Sequence, residues 1–80
     1  MNIEKLLKYF NEKKFDIIID SLKNKNFDNE KNFKITFLLS LSYFNSNKPN
    51  ESLTHINQAL LKSKNNPEIY FNKAIILEKL

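Results

Sequence analysis

The chain has no cysteine, no glycine and no arginine, and only one histidine and two prolines in 80 residues. Without cysteine there is no disulfide, no thiolate metal site and no sulfur nucleophile. This fits a reducing compartment, and the expected location is the cytoplasm. Without glycine there is no phosphate-cradling loop of the usual kind. Turns that need a left-handed residue must fall to Asn, the next best tolerated type. The single histidine, His55, has no Cys, His or acidic cluster at metal-ligand spacing around it, and no serine has a base beside it. No metal, no cofactor and no enzymatic activity are therefore expected, and His55 reads as a partly exposed surface residue.

Long apolar runs are also missing. The longest, Ala74 to Leu77, falls far short of the ~20 residues of a membrane span. The first eight residues break their apolar positions with charges at every turn, the pattern of an amphipathic helix rather than a signal peptide. Charge is lopsided but not concentrated: 13 lysines face 9 acids. The two halves of the chain carry the same excess, and the lysines form no stripe, which argues against a nucleic-acid partner. Lys, Asn, Ile and Phe all have A/T-rich codons, so genome composition accounts for much of the basicity.

What the chain does have is a period. A step of 34 residues carries Tyr9 to Tyr43 and then Leu77, Leu7 to Leu41 and Ile75, and Ile3 to Phe37 and Phe71. The same step carries Phe10 to Phe44, Leu22 to Ile56 and Ile35 to Ile69. So many matches at one offset signal a repeated supersecondary unit.

Within each unit the apolar spacing is helical. Ile3, Leu6, Leu7 and Phe10 fall at i, i+3, i+4, i+7, and Phe15, Ile18, Ile19 and Leu22 repeat it. The polar stretch 23–32 reads as the connection between repeats, with Phe27 tucked beneath it. A third helix, apolar over a wide arc, packs on two sides. Pro49 and Pro67 suit first helical positions, and Asn66 suits a cap ahead of Pro67. Five helices are expected near 2–12, 14–25, 29–45, 49–63 and 67–79.

Helix pairs at a 34-residue period resemble the tetratricopeptide (TPR) repeat. The pattern falls best on Leu39, Ser40, Tyr43, Ser52, Ile56 and Ala59, without its opening aromatic. It falls more weakly on Lys5, Leu6, Tyr9, Ile18 and Leu22, and on Tyr70, Lys73, Ala74 and Leu77. The resemblance implies an all-α superhelix of antiparallel hairpins, about 2.5 repeats in one domain. Hairpins would occupy about 1–28 and 29–66, and a terminal helix 67–80. Small residues Ser40, Ser52, Ala59 and Ala74 would let helices approach closely.

The resemblance further implies a concave face lined by the first helix of each hairpin. Its residues would be Ile3, Leu7 and Phe10, then Lys34, Phe37, Leu41 and Phe44, then Phe71, Asn72 and Ile75. Mostly apolar, they suit a peptide or helix of a protein partner, in a scaffold or adaptor role. The alternative is that a tightly curved short array lets them pack on one another. A family mode that clamps a terminal carboxylate is not expected: the matching positions hold Ile3, Leu7, Leu38 and Glu68, and only Asn72 agrees. An adaptor region of a longer enzyme, such as a transferase, is a second reading. The last helix exposes Tyr70, Ala74 and Leu77 on its outward side, so a covering second copy or further repeats are expected there. A mostly helical far-UV circular dichroism spectrum is predicted, and a substantial sheet signal would contradict it.

Overall fold

Residues 2–25 and 33–80 are described by the computed structural model. They form five helices, α1 (Ile3–Asn11), α2 (Phe15–Leu22), α3 (Lys34–Asn45), α4 (Pro49–Lys62) and α5 (Pro67–Lys79), and no strand among the described residues. Both prolines sit in the first turn of their helices, where the missing N–H would be unpaired anyway. Asn2 Oδ1 accepts from Lys5 N at 2.9 Å, and Asn66 Oδ1 from Glu68 N at 3.0 Å, capping α1 and α5. The expected boundaries hold closely for α1, α4 and α5. Two differ. α2 stops at Leu22 rather than 25, and α3 starts at Lys34 rather than 29. Of the expected connection at 23–32, residues 26–32, with Phe27, lie outside the described residues.

The 34-residue period reappears in backbone geometry. The turn between α1 and α2 closes with Lys13 N to Phe10 O and Lys14 N to Tyr9 O; the turn between α3 and α4 closes with Asn47 N to Phe44 O and Lys48 N to Tyr43 O. Lys13 and Asn47 occupy the left-handed region, with φ of 60° and 63°. Asn was expected at both positions. In the first turn Asn11 is the last helical residue, and Lys13 takes the strained position instead. That conformation costs a non-glycine residue roughly 1–2 kcal/mol, which the turn's two backbone bonds offset.

Helices pack chiefly on their neighbours in sequence, α3 on α4 most extensively. The radius of gyration is 11.6 Å, close to the value of ~12 Å for a compact chain of this length. One apolar cluster joins Leu6 of α1, Ile18, Ile19 and Leu22 of α2, and Leu38, Leu39 and Tyr43 of α3. A second joins Phe37 of α3, Ile56 and Ala59 of α4, and Ile69 and Ile76 of α5. α3 is the wall between them, which explains its apolar residues over a wide arc.

At the α3–α4 crossing, Ser40 and Ser52 are wholly buried. Ser40 Oγ donates to Ser52 O and Ser52 Oγ to Ser40 O, both at 2.8 Å. Ala59 is buried in the same pair, whereas Ala74 is exposed. Ser40→Ala should remove one hydroxyl–carbonyl bond and lower stability by about 1 kcal/mol in denaturant titration. Ser40→Trp should unfold the domain, since overpacking costs about 1–3 kcal/mol or more against a small total margin.

Candidate functional site

α1 presents Ile3, Leu7 and Phe10, and α3 presents Phe37, Leu41 and Phe44, at the same i, i+4, i+7 spacing 34 residues on. The two stripes meet in a groove of about 340 Å³. Ile3, Leu7 and Phe10 line one side, and Lys34, Phe37 and Leu41 the other. Phe33 and Leu38 extend its apolar wall, and Glu68 at the start of α5 adds a carboxylate. Phe37 and Leu38 are buried and form the floor, while Leu7 is 46% exposed and stands at the rim. The phenyl rings of Phe33 and Phe37 lie 6.0 Å apart at 52°, and those of Phe10 and Phe15 meet edge-on at 5.2 Å. Such aromatic pairs stiffen the walls.

Four of the expected lining residues lie elsewhere. Phe44 packs against the second core cluster. Phe71 is 67% exposed and Ile75 half-buried. Asn72 Nδ2 donates to Glu68 O at 2.8 Å within its own helix. None of the three α5 residues lines the groove, which α5 touches only through Glu68. Phe33, Leu38 and Glu68 were not expected as lining as a set. Leu38 and Glu68 had a signal, since both occupy positions where the TPR pattern places clamp residues. Of the five positions matched to that clamp, Ile3, Leu7, Leu38 and Glu68 line this groove and Asn72 does not. Three of these four are apolar and the fourth is a carboxylate, with Lys34 on the same lining.

A larger depression, about 500 Å³, lies beside Tyr9. Its walls are Glu4, Lys5, Lys8, Glu12 and Lys14, of both signs. Lys14 Nζ sits 6.0 Å over the Tyr9 ring and 3.2 Å from Glu12 Oε1, so its charge is already engaged. Among the described residues no group of His, Cys, Asp and Glu could hold a metal ion. No described helix is long and apolar enough to cross a membrane.

His55 is half-buried on α4, its ring stacked on Tyr43 at 5.3 Å with planes 6° apart. Its Nδ1 donates to Gln58 Oε1 at 3.1 Å. Desolvation lowers its pKa below the ordinary imidazole value, and the Gln58 bond opposes this in part. This is a packing role at the hairpin, away from the groove.

No family model, no curated protein and no solved structure matches this chain.

The lowered His55 pKa has a fixed sign of effect. Near and below the unfolded-state value of about 6.5, the unfolded chain takes up a proton that the folded chain resists. Its contribution to stability is therefore present above that pH and falls away as the pH drops from about 7.5 towards 5.5. Thermal melts across this window should show the fall, and His55→Gln should flatten it.

Proposed function

We propose that this chain is a TPR-like helical-repeat module, without enzymatic activity of its own, that holds an apolar segment of a protein partner in the groove between α1 and α3. The observation that carries the reading is the meeting of two equivalent apolar stripes, Ile3–Leu7–Phe10 and Phe37–Leu41, in one concave site. The repeated turn at Lys13 and Asn47 supports the repeat assignment. The groove's floor is continuous with the core, so its shape is held by packing. Its volume is at the lower end of the ~300–1,000 Å³ of typical ligand pockets. It therefore suits one or two side chains of a helix or extended peptide, the anchor mode of groove-binding domains. An adaptor segment joined to an enzyme would use the groove in the same way.

Affinity capture with the purified chain, followed by mass spectrometry and titration of peptides from the captured protein, tests this. Leu7→Glu is the decisive variant because Leu7 is the most exposed of the lining apolar residues. It should weaken peptide binding at least tenfold, about 1.4 kcal/mol, with helicity unchanged. Binding should vary little with salt, because the contact is apolar. A steep loss with salt would transfer the interaction to the lysines. Equal binding by the variant would remove the groove from consideration.

A further inference from the structure

The two hairpins repeat each other, so the second shows what the first lacks. α3 and α4 are joined by the reciprocal Ser40–Ser52 bonds, the Lys62–Thr36 bond and the Tyr43–His55 stack. Among the described residues no side-chain hydrogen bond or ion pair joins α1 to another helix. α1 buries Leu6 alone, whereas α2 buries Ile18, Ile19 and Leu22, and α3 buries seven residues. Ile3, Tyr9 and Phe10 lean on the same cluster and are only partly buried. α2 packs on α3 directly, beside Leu38, Leu39 and Tyr43, so it has a seat apart from α1.

The turns differ in the same sense. Both close with the same two backbone bonds, and each contains one left-handed residue. Asn47 fills that position in the second turn, where a short polar side chain eases the conformation. Lys13 fills it in the first, with no such relief. α5, which likewise packs chiefly on one neighbour, buries both Ile69 and Ile76 and follows a turn with no left-handed residue. α1 is therefore the one helix that combines a single buried anchor with a strained hinge.

We propose that α1 is a hinged flap: it swings as one helix away from α2 and α3 about the turn at Glu12–Lys14, and the groove is complete only while it is closed. The closed position is held by Leu6, by the edge-on pair of Phe10 with Phe15 and by the turn's two backbone bonds. The ring pair and the Lys14–Tyr9 contact both lie at the turn end, so Leu6 is the fully buried side chain that pins the middle of the helix. Opening gives these contacts up and returns Lys13 to an ordinary backbone conformation, so strain in the closed state favours release. Proteins open in such sub-global units, and elements used for binding come from the least stable of them. α1 supplies Ile3, Leu7 and Phe10 to one wall of the groove, and opening dismantles that wall. The gating of a partner rests on the groove being the binding site; the opening of α1 does not.

Native-state hydrogen exchange on the full chain, with nothing added, tests the opening by itself. The amides of α1 from Leu6 onward, together with those of Lys13 and Lys14, should share one opening constant at least tenfold larger than that of the α3 and α4 amides. The α2 amides should not share it. Lys13→Asn, which copies the second turn, should slow exchange of the whole α1 group roughly threefold or more. Cysteine, which the chain lacks, gives a second reading. Ile18→Cys, in the Leu6 cluster, and Ile56→Cys each place a thiol at a wholly buried position. The first should react with an aromatic disulfide reagent at least tenfold faster, once each rate is corrected for global unfolding of that variant. Equal opening constants for α1 and α3, or equal thiol rates, would overturn the proposal. So would protection that climbs steadily from Leu6 to Asn11, the mark of end fraying, an α2 that opens with α1, or an α1 group unmoved by Lys13→Asn. Partner binding untouched by Leu7→Glu would remove the groove reading and leave the flap standing.

Discussion

The close approach of α3 and α4 at Ser40 and Ser52 is the contact on which the remaining packing depends. Both side chains are wholly buried, and each hydroxyl bonds the other residue's carbonyl. A buried hydroxyl without a partner would be costly; here the pair satisfies itself and needs little space. The small side chains let the two backbones come together, and further ties join the same helices. Lys62 Nζ donates to Thr36 Oγ1 at 3.2 Å, and Tyr43 stacks on His55. α3 is thereby fixed to α4, and α3 divides the two apolar clusters. A shift of α3 would open both at once. In a chain this short neither cluster is large enough to absorb the loss.

The same level of the repeat is built differently in each copy. Ser40 corresponds to Leu6 and to Ala74, and Ser52 to Ile18. Leu6 and Ile18 are fully buried too, so the first hairpin closes through branched side chains where the second closes through hydrogen bonds. Bulky residues there hold the helices further apart. That accords with the α1–α2 contact being the least extensive of the four neighbouring pairs and α3–α4 the most. The first hairpin is also shorter, α2 spanning 8 residues against 14 for α4. The fold is thus anchored in its middle hairpin, with lighter elements on either side.

Legibility in the sequence follows the same division. Pro49, Asn66 and Pro67 fix backbone conformation locally, and the starts of α4 and α5 were readable from them alone. Positions 23–32 hold only Asn, Asp, Glu and Lys around Phe27, which disfavour helix without saying where one stops; the ends facing that stretch, Leu22 and Lys34, were misplaced. Lys13 was missed because its φ is imposed by the closing bonds of the turn, not by a lysine preference. For the groove, periodicity identified the faces of α1 and α3 that meet. It did not show that α5 would reach that groove through Glu68 rather than Phe71. Ile69 and Ile76 bury themselves against α4, and that rotation brings Glu68 to the groove while Phe71 stays in solvent.

Groove and outer edge differ physically, although both are apolar. The groove borrows its floor from the core: Phe37 and Leu38 are buried members of the two clusters, and Ile3, Phe10 and Leu41 pack against them. Binding there, under the proposed reading, would add contacts between α1 and α3, two helices otherwise joined only through side chains that also serve the core. A ligand that favours the folded state stabilises it in proportion to its concentration over Kd. Here that gain would fall on the lightly held α1. Tyr70, Ala74 and Leu77 belong to neither core cluster. A substitution at this edge therefore leaves the packing inside the chain as it is. Among the groove's apolar lining residues only Leu7, at the rim, is so nearly free of the core; a change at Phe37 or Leu41 would alter the groove and stability together.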